Sequence, residues 1–79
     1  MAENNITINI RDGALSILKP EENEEKDKKL LIKASILAYE NKIPLVFYRI
    51  NKEIIIIFKS FDYCKLEKIA EKIRNEKLN

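Results

Sequence analysis

Apolar and polar positions follow two different periods along this chain, and the switches between them mark six elements. Ile6, Ile8 and Ile10 alternate with Asn5, Thr7, Asn9 and Arg11, the period of two expected of a strand buried on one face. Asp12-Gly13 follows, a pair suited to the positive φ angles of a type I′ turn. The return strand, Ala14–Leu18, then sets Leu15 opposite Ile10 and Ile17 opposite Ile8. Pro20 fits the first turn of a helix. Glu22/Lys26, Glu24/Lys28 and Glu25/Lys29 add i,i+4 pairs with the acid on the N-terminal side, each contributing about 0.2–0.5 kcal/mol. The pattern therefore predicts a helix from about Pro20 to about Asn41; a solvated linker with the helix starting near Asp27 is the alternative. Along it, Leu30, Ala34, Leu37 and Ala38 form one apolar stripe. Ile32, Ile36, Tyr39 and Ile43 form a second, nearly opposite. Two stripes require cover on two sides. The sheet and the second helix are one way to provide it, and a partner chain is the other.

Pro44 reopens extended structure. Leu45–Ile50 and Glu53–Lys59 flank Asn51-Lys52 as a second two-residue hairpin. One face of that hairpin carries Leu45, Phe47, Ile54, Ile56 and Phe58; the other carries Val46, Tyr48, Ile50, Ile55 and Ile57. Four consecutive isoleucines suit an interior strand buried on both faces. The last element is a helix from about Asp62 to Lys77, with Asp62 as N-cap, Phe61 and Leu66 as a hydrophobic staple, and one narrow stripe of Tyr63, Leu66, Ile69, Ala70 and Ile73. The order is ββαββα. The expected fold is a two-layer α+β domain, a four-stranded antiparallel sheet with both helices on one face, spanning residues 1–79 with 1–4 and 76–79 frayed.

That packing leaves Val46, Tyr48, Ile50, Ile55 and Ile57 on the bare side of the sheet. Monomers rarely expose contiguous apolar patches above a few hundred Å², so association through this face is expected. Ile32, Ile36 and Tyr39 on the long helix are the alternative contact surface. A homodimer, or another protein subunit, is the expected partner.

Composition narrows the chemistry. Seventy-nine residues allow one small core. With no His in the chain, His-dependent triads and His-ligated metals are excluded. Cys64 is the single cysteine, which precludes an internal disulfide and fits a reducing compartment. No run approaches a membrane span and no signal peptide is visible, so a cytoplasmic protein is expected. Fourteen Ile, twelve Lys and ten Glu lean toward a thermophilic source, while eight Asn lean the other way. Cys64 falls in the first turn of the last helix, where the dipole favours a thiolate, but lacks a histidine base. Glu21, Glu22, Glu24, Glu25 and Asp27 match no EF-hand spacing. A lone Gly13 rules out glycine-rich phosphate loops. The chain is therefore read as non-catalytic, with no cofactor and no metal.

Charge supplies the rival reading. Residues 1–27 carry three bases and seven acids, whereas 28–79 carry twelve bases and six acids. Lys65, Lys68 and Lys72 line one side of the last helix, and Arg49, Lys52 and Lys59 lie on or beside the second hairpin. These side chains suit phosphates, and Tyr48 or Phe47 suit base stacking, so RNA or DNA binding is the alternative function.

The segment Leu45 to Ile73 joins a strand, a tight turn, a strand and a short link ending in Asp62, with Leu66 four residues on. It resembles the small dimerising subunit of the KEOPS tRNA-modifying complex over 29 of the 79 residues. Glu67 stands where an Arg usually follows that Leu, the link before Leu45 is short, and the first hairpin adds a strand. The resemblance implies a protein that dimerises, without catalysing, inside an RNA-modifying machine.

Overall fold

The computed structural model describes residues 6–75; the fraying expected of 1–4 and 76–79 lies outside the described residues. Six elements follow in the order β1 (Thr7–Arg11), β2 (Ala14–Pro20), α1 (Glu24–Asn41), β3 (Leu45–Ile50), β4 (Glu53–Lys59) and α2 (Tyr63–Asn75). The strands form one antiparallel sheet in the order β1-β2-β4-β3. The α+β, ββαββα architecture expected of the sequence is the one observed.

Both hairpins close on two-residue turns. Asp12 and Gly13 have φ of 52° and 72°, and Asn51 and Lys52 have φ of 52° and 64°. These values match the right-handed strand twist. The register sets Ile10 opposite Leu15, Ile8 opposite Ile17, and Tyr48 opposite Ile55. Parity along the strands then decides the core. Leu15, Ile17, Ile54, Ile56 and Phe58 share one face of the sheet, and all are fully buried. Above them lie Leu30, Ala34, Leu37 and Ala38 of α1 and Leu66, Ile69, Ala70 and Ile73 of α2, in the same cluster. One core, one covered face: both helices lie on the same side.

Four details depart from the sequence reading. α1 begins at Glu24 rather than Pro20, because β2 stays paired with β4 as far as Pro20 opposite Glu53. The absent Pro20 N–H faces the β1 side, past Thr7–Leu18, so no ladder bond is lost there. Asn23 caps the helix instead, its side chain accepting from Lys26 N at 2.9 Å. Next, α2 does not cover the second stripe of α1: Ile32, Ile36 and Tyr39 are 55%, 49% and 84% exposed, and only Ile43 packs on the core. Third, the isoleucines of β4 are central in the sheet but buried on one face alone. Ile54 and Ile56 are enclosed, while Ile55 and Ile57 are half-buried. Last, Phe61 does not staple onto Leu66. It is 87% exposed and lies over Gly13, where its ring approaches the position a Cβ would take to 2.6 Å.

Asp62 caps α2 as expected, accepting from Lys65 N at 3.3 Å. α1 ends with Lys42 in the left-handed region, its N–H bonded to Tyr39 O and the Ile43 N–H to Ala38 O. This is Schellman geometry on a residue other than glycine, and Pro44 then prevents continuation.

Candidate functional site

The open face of the sheet is built by parity alone. In β3, Val46, Tyr48 and Ile50 point away from the helices, and Ile55 and Ile57 of β4 stand beside them through the pairs Tyr48–Ile55 and Val46–Ile57. Leu18 of β2 extends the patch, opposite Ile55. The sequence reading passed over Leu18, although it falls off the Leu15/Ile17 parity of the return strand. Val46, Tyr48 and Ile50 are 41%, 42% and 49% exposed. Toward β1 the same face turns polar, with Ser16, Asn9, Thr7 and Arg11. The five residues expected to form a contact surface are thus brought together, on the β4–β3 half of the sheet.

Ile32, Ile36 and Tyr39 form a separate exposed strip on α1, in the helix layer. The sheet lies between that strip and the Tyr48 face.

The basic residues are dispersed. Arg49 lies on the helix-side parity of β3, and its Nε pairs with Glu21 Oε2 at 3.0 Å. Lys52 stands in the β3–β4 turn. Lys65 Nζ donates to Asn41 O at 3.0 Å, joining the start of α2 to the end of α1. Lys68 and Lys72 are exposed on α2. Because α2 packs against β1 and β2, these lysines and Tyr48 occupy opposite layers.

An interaction absent from the sequence reading sits at the β2–α1 junction. Lys19 and Asp27 are only 4% and 5% exposed, and Lys19 Nζ lies 2.8 Å from Asp27 Oδ1. The ammonium also donates to Pro20 O at 3.0 Å, and Asp27 Oδ2 accepts from Glu22 N at 3.3 Å. The signal for it was parity: Lys19 continues the inward series Leu15, Ile17, and Asp27 heads the buried stripe of α1.

Cys64 is exposed and free. Among the described residues no three or more Cys, Asp or Glu side chains gather as a metal site, and no helix is long and apolar enough to cross a membrane. Comparison with protein families, with curated proteins and with solved structures yields no match.

Proposed function

We propose that this chain is a non-catalytic interaction subunit whose working surface is the outer face of the sheet, formed by Val46, Tyr48, Ile50, Ile55 and Ile57 with Leu18. The observation that carries the reading is a contiguous run of large apolar side chains on three adjacent strands, with no layer over them among the described residues. A charged or polar residue at alternate positions is the usual outer face of a one-sided antiparallel sheet. Here that alternation holds on β1 and fails on β3 and β4.

Covering such a patch brings a gain comparable with the cost of association. Several hundred Å² of apolar surface removed from water contributes on the order of 10 kcal/mol at about 25 cal/mol per Å², against an association cost of about 4–15 kcal/mol. Shape complementarity then decides the affinity. The test is solution mass by light scattering across a concentration series, for the unmodified chain and for Ile57→Glu. Ile57 sits on a central strand in mid-face, so a carboxylate there blocks face contacts without touching a strand edge. A lower mass than the unmodified chain at equal concentration, with folding retained, supports the reading; an unchanged mass refutes it.

A further inference from the structure

We infer that β3 is a dimerisation edge, and that two copies of this chain join antiparallel through it into one continuous eight-stranded sheet. The inference goes beyond the outer-face reading and rests on a different observation, the unpaired backbone of β3.

The two-residue turn closes on the hydrogen-bonded pair Ile50–Glu53, and Lys59 N donates to Pro44 O at 3.2 Å. Bonded pairs alternate with unbonded ones in an antiparallel ladder. Ile50, Tyr48, Val46 and Pro44 therefore turn their backbone groups toward β4. Leu45, Phe47 and Arg49 turn theirs outward, three N–H and three C=O groups with no strand beside them among the described residues, because β3 ends the sheet.

Natural edges are usually guarded by lysine, proline, a bulge or a covering element. β3 runs Leu-Val-Phe-Tyr-Arg-Ile without a bulge in its pairing, and its five residues Val46–Ile50 are all exposed. Its one charge, Arg49, is drawn back to Glu21. Phe47, on the helix side, is 41% exposed despite sitting beside the fully buried Ile56.

The strand is complementary to itself. A two-fold axis at Phe47 sets Phe47 against Phe47 of the second copy, Leu45 against Arg49, and Val46 against Tyr48. No like charges meet. All outward N–H and C=O groups are satisfied, and the Val46–Tyr48 pairs fall at unbonded positions, where side chains approach closest. The pairing also closes: β3 against β3 obeys a two-fold, whereas β3 against β1 of another copy would propagate without end. The dimer would align the two outer faces into one apolar surface centred on Val46 and Tyr48.

Amide hydrogen exchange by NMR, read alongside mass over the same concentration series, tests this directly. In the monomer the Leu45, Phe47 and Arg49 amides exchange freely while Val46, Tyr48 and Ile50 are protected. In the edge dimer all six are protected, with at least tenfold slowing of the first three at high concentration. A dimer whose Leu45, Phe47 and Arg49 amides stay fast overturns the edge assignment and leaves outer-face association standing; a monomer at every concentration overturns the edge dimer. Phe47→Pro deletes an outward N–H without removing a bond to β4, and Phe47→Lys opposes two cations at the axis. Both should stay folded by circular dichroism and lose the concentration-dependent protection of the Leu45 and Arg49 amides, the second serving if the first unfolds. Retained protection of those amides in either folded variant would refute the inference, whereas Ile57→Glu should leave this pairing intact.

Discussion

Replacing Lys19 by Met isolates the energetics of the β2–α1 junction. The Lys19 and Asp27 side chains are 5% and 7% exposed, and the ammonium lies 2.8 Å from Asp27 Oδ1 and 3.9 Å from Glu22 Oε1. Methionine fills much the same volume but leaves the Asp27 carboxylate buried without a counter-charge. Removing one partner of a buried pair costs about 3–5 kcal/mol. At about 0.05–0.15 kcal/mol per residue, a chain of this length has roughly 4–12 kcal/mol in total. Lys19→Met should therefore lose about a quarter or more of its stability. Asp27→Leu should lose less, because the Lys19 ammonium keeps Pro20 O, lies near Glu22, and has a long flexible stem. The double variant Lys19→Met/Asp27→Leu should return to within about 1 kcal/mol of the unmodified chain, since the pair's attraction is largely offset by its desolvation. Urea unfolding followed by far-UV circular dichroism measures all four corners of the cycle. Single variants that each cost under about 1 kcal/mol would show that the pair behaves as a solvated surface bridge, and would refute the reasoning.

Four other outcomes follow from the same geometry. Asn23→Ala should cost about 0.5–2 kcal/mol in urea unfolding, by leaving Lys26 N without its cap. Gly13→Ala should cost about 1–2 kcal/mol in the same assay, from an alanine held at φ 72°, while the exposed Phe61 ring swings aside. In light scattering, Tyr48→Glu should abolish association, because Tyr48 belongs both to the outer face and to the cross-strand pairs at the β3 edge; a Tyr48→Glu chain with unmodified mass would contradict both. Reversing Lys65, Lys68 and Lys72 to Glu should leave association intact; loss of a salt-sensitive gel shift with RNA or DNA in that variant would favour the nucleic-acid reading instead.

The hairpins were legible in the chain itself. Asp12-Gly13 imposes its turn through backbone preference, Asn51 tolerates the left-handed region while Lys52 is held there between the paired strands, and a two-residue turn leaves the register no freedom. Parity then divides the second hairpin into Phe58 and Val46 faces without reference to anything distant. α2 was equally readable, since Asp62 caps a single stripe. Each of these rests on interactions within about five residues or across one tight turn.

What lay beyond reach depended on groups far apart in the chain. That β2 pairs with β4, placing β3 at the edge, is a choice between strand orders of similar local preference. The same pairing extends β2 to Pro20, delays α1 to Glu24 and turns Lys19 inward onto Asp27. Local propensity favoured the earlier helix start, and the ladder overrode it. Two apolar faces and two apolar helix stripes were plain in the sequence, but which of them meet each other was settled by closing a single core. A core is a collective property: once both helices cover Ile54, Ile56 and Phe58, no other described element lies over Val46, Tyr48 and Ile57.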